Sequence, residues 1–500
     1  VHGDLVVSVP LASRVSWPDA AWTFAPLGYR PGLHAAEIVP TYPPGLPLVM
    51  ALMTIATGES GPFLVGPLFA IVTVLGTYWL GAHLHTRTAG VVAAALVATS
   101  PVLLSQVVQQ MSDIPSTALW ALALLAAISV RPLAAGLLSG LAVLVRPSLL
   151  PLAGAVALVL MIWSDRAPAS RHAIAARAFR FGAAMLPGIA TLAWIQWRLY
   201  GHPLASGHGT FAELFAIANI LPNIRDYTMR VVTGETPALA LVAVSLVILV
   251  LRRDRPAGLQ DKTRPTLSSH GRPTLSSQSK TRPTLPPPAL MPSARIAGIV
   301  AIPVLAVYLA YGVFPDWAYL RFLLPIWPAA LAAASAVVVN ATLRWPSTLR
   351  TQILLVALTA VCARNVVTAR HEGAFTLQID ASRYGTAGRY LDAALPADAV
   401  IVTSQHSGSA QYYTGRPVLR WDSLHIGLDE AVDELARLGR PSVILVEDWE
   451  EPALRQKFPA STLARLDWPA RADFGWPTHV RLYDPSDLGR PTGRPPDRLP

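Results

Sequence analysis

The 500-residue chain has a single cysteine, Cys362. That excludes a disulfide framework and any Cys-x-x-Cys metal or redox motif. Charge is scarce as well: Asp, Glu, Lys and Arg together make up 14%, against roughly 25% in soluble globular chains. Hydrophobic residues supply 52%, and mean hydropathy is +0.42. A soluble fold this apolar could not cover its surface, and a disordered chain needs the opposite balance of charge and hydrophobicity. The sequence also lacks an Asp-x-Asp pattern, a Walker-type loop, His-Glu-x-x-His and a Gly-x-Ser-x-Gly elbow. Nucleotide-driven transport, zinc proteolysis and serine hydrolysis therefore have no motif behind them. What remains is a polytopic membrane protein.

The net charge of +10 resembles a nucleic-acid footprint until it is located. Between Arg252 and Arg295 lie nine Lys or Arg and two Asp, a net +7 in one stretch. Charge concentrated in a single loop between apolar segments signals topology rather than a DNA surface, so no nucleic-acid partner is expected. In the same loop Arg-Pro-Thr-Leu begins at Arg264, Arg272 and Arg282. Proline removes backbone donors and the rest is polar, so the loop, taken as 252–294, reads as disordered.

A helix needs about 20 mostly apolar residues to cross a bilayer. Candidate spans are 62–83, 89–107, 115–130, 133–147, 149–163, 179–198, 236–251, 295–314, 322–342 and 352–368. With residues 1–61 outside, the loops carrying Arg87, Arg131, the Arg166–Arg180 group, the +7 stretch and Arg344/Arg350 fall in the cytoplasm, as the positive-inside rule asks. No removable signal peptide is visible. Val1 falls within what reads as an outside loop, so one earlier span is expected upstream.

The expected organisation is an all-α bundle of about ten spans with a small C-terminal extracytoplasmic α/β domain. Its parts are a first outside loop with an interfacial helix (1–61), bundle segments at 62–251 and 295–370, the basic loop between them, the α/β domain (371–485) and a disordered tail (486–500). Short β-branched runs at 399–404, 442–448 and 479–484 around a helical pattern at 428–439 mark the α/β domain. A multi-pass protein of the bacterial cytoplasmic membrane, in contact with the lipid bilayer, is the expected localisation.

The topology sorts polar residues by side. Asp113 (in QQMSDIPST), Arg146 (in LAVLVRPSLL), Arg198, and Asp316 and Arg321 (in FPDWAYLRFLLP) all fall at the extracytoplasmic ends of spans. Each has an ordinary explanation: Arg198 and Arg321 can snorkel to headgroups, Asp316 can be a loop acid, and Asp113 can cap the third span. Arg146 is harder to dismiss. It interrupts an apolar stretch, where a charge costs about 2.5 kcal/mol or more unless it meets a polar cavity or the interface. Three arginines and an aspartate at one face suit a ligand with a phosphate head and a prenyl or acyl tail, since guanidinium matches phosphate oxygens bidentately.

TYPPGLPLVMAL (41–52), SPVLLSQ…SDIPS (100–116), GLLSGLAVLVRPSLL (136–150), LYGHPLASGHG (199–209) and LRFLLPIWPAAL (320–331) occur in that order. Together they resemble the GT-C class of polytopic glycosyltransferases, nearest the bacterial protein-mannosyltransferase and aminoarabinose-transferase branch. TSQHSGSAQYYTGRPVLRW (403–421) resembles the extracytoplasmic domain of some bacterial members. The resemblance implies an inverting transferase that moves a sugar from a polyprenyl-phosphate donor to an acceptor on the outer face; the acceptor is not indicated. Arg146, Arg321 and Arg198 are then candidates for the donor phosphate, with Asp113 in a supporting role. Tyr42, Pro44 and His208 would shape the substrate cavity, and His406 in the α/β domain is a weaker candidate. The family's general base is an acid early in the first outside loop. Here it either lies upstream of Val1 or is replaced by Asp4 or Asp19; Glu37 is the other acid in the loop. The resemblance points to no particular cofactor, and a divalent cation is left open.

A transporter or flippase for a lipid-linked glycan is the competing reading. It should show internal repeats and charges at mid-membrane. The only repeat lies in the basic loop, and the polar residues gather at one face.

Overall fold

The computed structural model describes residues 5–163, 170–209, 211–241, 291–314, 316–475, 478–489 and 497–499. Asp4, most of the basic loop, the second half of the expected 236–251 span and much of the tail lie outside the described residues.

The N-terminal segment folds into β1 (Val7–Ser8), α1 (Ala20–Thr23), β2 (Tyr29–Pro31) and β3 (Glu37–Pro40), the strands forming an antiparallel sheet in the order β1-β3-β2. Then α2 (Gly45–Thr57) runs along the bundle with Leu52 and Ile55 exposed. The bundle follows with α3 (Gly61–Leu84), α4 (Arg87–Ala98), α5 (Pro101–Gln106), α6 (Asp113–Ile128), α7 (Pro132–Val145), α8 (Leu150–Ile162) and α9 (Arg171–Tyr200). Short α10 (Phe211–Leu214) and longer α11 (Ile220–Gly234) come next, then α12 (Met291–Ala310), α13 (Trp327–Ala341) and α14 (Ser347–His371). By length and composition five described helical stretches can cross a membrane: α3, α9, α12, Trp317–Arg344 (which contains α13) and α14. Five more apolar helices are shorter. The chain is a multi-pass membrane protein.

Local chemistry sets the breaks. Thr86 and Ser100 accept from the third N–H of α4 and α5 (3.2 and 3.4 Å), and Pro101 needs no donor in the first turn. Pro147 disfavours helical geometry in the residue before it. Arg146 accordingly sits at φ −145°, ψ 87°, ends α7, and is held at the break. Gly136 and Gly140 line the α7 face toward α9; a Cβ on Gly188 would stand 2.9 Å from the Gly140 Cα. Small residues four apart let two helix backbones nearly touch, and that fixes the height of Arg146.

At the C-terminus, α15 (Leu377–Ala394), β4 (Val400–Val402), α16 (Ser407–Thr414), β5 (Val418–Leu419), α17 (Leu428–Arg437), β6 (Ser442–Glu447), α18 (Glu451–Lys457), β7 (Ala472–Phe474), β8 (Val480–Tyr483) and β9 (Asp497–Leu499) form an α/β domain. Its six-stranded sheet has the order β5-β4-β6-β8-β7-β9. β5, β4 and β6 are parallel, and β8 is antiparallel to β6. Ala410 of α16 packs on one face with Ile401 and Leu445; Leu428 and Leu435 of α17 pack on the other with Val400 and Ile444.

That second face also receives the N-terminal segment. Leu11, Trp17, Phe24 and Ile38 belong to the same core as α17, and each buried large side chain contributes about 1.5–3 kcal/mol. Ser16 donates to Glu434 through its backbone N (2.5 Å) and its hydroxyl (2.7 Å), and Leu27 N donates to Ser407 Oγ at 3.0 Å. Segments that the sequence reading keeps apart, 1–61 and 371–485, therefore share one core at one end of the bundle.

The stretch after α9, read from sequence as loop, contains α11. Its buried face is Asn223, Tyr227, Arg230 and Gly234, while Leu221, Met229 and Val232 are exposed. A helix with polar residues inward and apolar residues outward suits a lipid-facing position.

Candidate functional site

The site forms where α6, α7 and the segment after α12 meet, at the bundle end that bears the α/β domain. Asp113 is the first residue of α6 and only 3% exposed. Its Oδ1 accepts from Arg146 Nη1, and its Oδ2 lies 3.9 Å from Arg321 Nε. The Arg146 side chain is 10% exposed, whereas that of Arg321 keeps 16%. One carboxylate thus faces two guanidiniums, and the trio carries a surplus positive charge.

Arg321 comes from a ten-residue 3-10 run, Trp317–Ile326, initiated where Asp316 accepts from Ala318 N at 2.8 Å. Runs this long are uncommon and often mark functional segments. Asp316 is thus a cap. With three residues per turn, Tyr319 and Phe322 share a face. Phe322 stacks on Tyr308 (centroids 5.0 Å apart, 12° between planes), and Tyr319 stacks on Phe314 (4.2 Å). Arg146 lies 5.2 Å from the centroids of both Tyr308 and Phe322, and Arg321 lies 5.0 Å from Tyr319 and 5.6 Å from Phe322. Ring faces attract a desolvated cation without neutralising it. Ser148 and the Tyr308 hydroxyl are 3.0 Å apart, tying the turn after Arg146 to α12.

Polar residues of α11 brace this segment from behind. Arg230 donates to Phe314 O (2.7 Å), and Asn223 donates to Leu309 O (3.0 Å) and Tyr311 O (2.8 Å). The sequence reading missed Tyr308, Phe322, Asn223 and Arg230. The aromatic density of YLAYGVFPDWAYLRF is a visible signal in the sequence; the inward polar face of α11 has no local one.

The other candidates lie at different places. Arg198 is exposed on the last turn of α9 and makes no ion pair or hydrogen bond to the trio. An arginine near a helix end can extend to the surface instead of turning inward. Arg198 therefore stands apart from Arg146 and Arg321 in this structure. Pro44 precedes α2, and Gly45 presses on the end of α7: a Cβ there would stand 2.5 Å from Val145 N, next to Arg146. Tyr42 meets His208 edge to face at 5.1 Å, so the 41–42 turn and the 201–209 loop close on each other above that contact. Asp19 is exposed before α1 with φ 55°, and Glu37 is half-buried on β3. Neither touches the trio. Among the described residues, no three His, Cys, Asp or Glu side chains gather as metal ligands.

His406 belongs to a separate buried cluster. Glu447, at the end of β6, accepts from Arg383 Nε (3.0 Å), His406 Nε2 (2.9 Å) and Trp449 Nε1. Burial alone would raise the Glu447 carboxyl, but the hydrogen bonds from His406 and Arg383 outweigh it and hold the group at about 2. Burial lowers His406. Glu450 accepts from the backbone N of Gln405 and of Glu447 (3.1 Å each) yet is pushed up to about 7, chiefly by burial.

Comparison with known proteins follows the same lines. The sequence profile of Glycosyltransferase family 87 matches residues 41–264, a stretch that includes Asp113 and Arg146. No curated protein sequence matches the chain. Two structures of ArnT from Cupriavidus metallidurans, one apo and one bound to undecaprenyl phosphate, share the fold at TM-score 0.52 and 12% identity. They cover 88% of this chain, and 87% and 88% of their own. AglB, an oligosaccharyltransferase of Archaeoglobus fulgidus solved with an inhibitory peptide and a dolichol-phosphate, matches more loosely, with TM-score 0.44, 13% identity, and 94% and 68% coverage. The resemblance to the GT-C class of polytopic glycosyltransferases that the motifs carry thus extends to the fold and to Glycosyltransferase family 87.

Proposed function

We propose that this chain is a membrane glycosyltransferase that moves a sugar from a polyprenyl-phosphate donor to an acceptor on the extracytoplasmic face. The observation that carries the reading is the two-to-one ratio of guanidinium to carboxylate around Asp113, at the bundle end next to the α/β domain. A purely structural ion pair needs one arginine. A second, partly accessible one leaves positive charge for an anion.

In this scheme the glycosidic C–O bond breaks and its electron pair stays with the phosphate oxygen. Arg146 and Arg321, fixed in advance by Asp113 and the aromatic faces, stabilise that developing charge in a water-poor place where it counts most. The acceptor atom attacks the opposite face of the sugar carbon, inverting it, and passes its proton to a carboxylate. That base is a first-loop acid. Asp4 lies outside the described residues, and Asp19 and Glu37 stand away from the trio. Tyr42 and His208 roof the approach.

The test is turnover of a polyprenyl-phosphate sugar by the full chain in membranes. Arg146→Ala is expected to lower kcat/KM more than tenfold, toward the 10²–10³ typical of a lost charge-stabilising donor. Turnover like that of the unmodified chain would sink the phosphate role.

A further inference from the structure

We propose that Gln106 reads a hydroxyl of the donor's sugar and so helps determine which sugar is transferred. The inference rests on the donor reading above and adds a residue to the same site. Gln106 is the last residue of α5 and 1% exposed, and neither its Oε1 nor its Nε2 has a hydrogen-bond partner. Residues 107–112 turn the chain back into α6, whose first residue is Asp113. α5 and α6 also touch each other. The Trp317–Ile326 run packs against both helices. It contributes a further buried donor without a hydrogen bond, Arg321 Nε, which stands 3.9 Å from Asp113 Oδ2.

Elsewhere among the described residues, the buried amides Asn223 and Asn365 and the half-buried Gln405 are hydrogen-bonded. Asn223 reaches backbone carbonyls of α12, Asn365 reaches Thr99 Oγ1 (3.4 Å), and Gln405 reaches the Tyr384 hydroxyl (2.9 Å). A buried amide left empty on both sides costs folding free energy, and an apolar side chain of the same shape would avoid that cost. Its retention at the end of α5, the helix packed against the run that carries Arg321, points to a ligand group that completes it. The chemistry selects which group. A phosphate diester accepts hydrogen bonds but donates none, so it suits Arg321 Nε–H. A hydroxyl both donates and accepts, so it suits both ends of an amide.

The test uses two kinds of probe on the full chain in detergent: undecaprenyl phosphate alone, and undecaprenyl phosphate carrying mannose, glucose or galactose. The unmodified protein should bind at least one glycosylated probe more tightly than the bare lipid phosphate. Gln106→Leu should remove that preference, at least tenfold for the best sugar, and leave the affinity for undecaprenyl phosphate unchanged. A site that hydrogen-bonds a hydroxyl penalises its loss this strongly. Gln106→Met repeats the measurement with a more adaptable apolar side chain, and a melting temperature at or above that of the unmodified chain shows the fold is intact. If the preference survives in both variants, or if no sugar is preferred at the outset, the role of Gln106 is overturned. Failure of the unmodified chain to bind undecaprenyl phosphate at all would instead overturn the donor reading.

Discussion

Two buried clusters in this molecule are built from the same parts, an acid, arginine and aromatic rings, yet they close differently. Around Glu447 one guanidinium, Arg383, serves two carboxylates, Glu447 and Asp380. The two Glu447 oxygens take Arg383, His406 and Trp449, and the remaining nitrogens of Arg383 reach Asp380 and the Tyr384 hydroxyl. Around Asp113 supply exceeds demand: two guanidiniums meet one carboxylate, and Arg321 Nε makes no hydrogen bond. A cluster whose cation is outnumbered by acids holds elements together, here pinning α15 to the end of β6. One with a surplus of cations is incomplete without something else. Burial alone does not separate a structural knot from a site; the ratio of guanidinium to carboxylate does, one to two around Glu447 and two to one around Asp113.

The comparison breaks most visibly in kinetics. Arg146→Ala should lower kcat/KM by about 10²-fold, whereas Glu447→Gln, assayed where it is still folded, should leave it unchanged. Equal losses in the two variants would erase the distinction. Stability should show the reverse. Glu447→Gln removes one partner of a buried pair and should cost about 3–5 kcal/mol, read as a lower melting temperature of the full chain.

A smaller effect is expected at Gly45. Its alanine variant must shift either α2 or the end of α7, at a cost of about 1–3 kcal/mol, and turnover should fall because Arg146 moves with Val145. Loss of stability with unchanged turnover would show that the α2 contact does not position the site.

Proton linkage sharpens the α/β side. Glu450 sits at about 7 against an ordinary 4.5. Between those values the folded state keeps a proton that the unfolded chain has lost, so the contribution of Glu450 to stability falls as pH rises through that window. Glu447, at about 2, acts in the opposite sense: its contribution is present above 4.5 and is lost as pH falls toward 2. Glu450→Gln should therefore gain on the unmodified chain in melting temperature as pH goes from 4.5 to 8. A difference that does not change with pH would refute the assignment. The smallest effect of all is expected from Arg198→Ala, whose turnover should stay unchanged; a large drop would bring Arg198 back into the site.

Much of this was legible in the sequence. Low charge, apolar runs and the Arg146-Pro147 step announced a bundle with a costly cation at a helix break, and the five ordered motifs carried the resemblance. The strands of the α/β domain fall where β-branched runs are flanked by turn residues, since alternation and turn chemistry are local. What could not be read is non-local. The sequence lists Arg198 and Arg321 as equals, and nothing near either residue says which one turns inward. The joining of the N-terminal segment to the α/β domain is likewise invisible, because Trp17 and Phe24 read simply as apolar and their partners lie hundreds of residues away.

The sequence by itself determined that this chain lives in a membrane and that Arg146 must be paid for by a partner, because transfer free energy and proline geometry depend only on neighbouring residues. Only the tertiary structure decided that Asp113 is that partner, that Arg321 joins it and Arg198 does not, and that Gln106 stays unpaired. Those outcomes depend on how closely α7 and α9 approach and where the 317–326 run crosses α5 and α6, and packing of that kind is settled by the whole bundle at once.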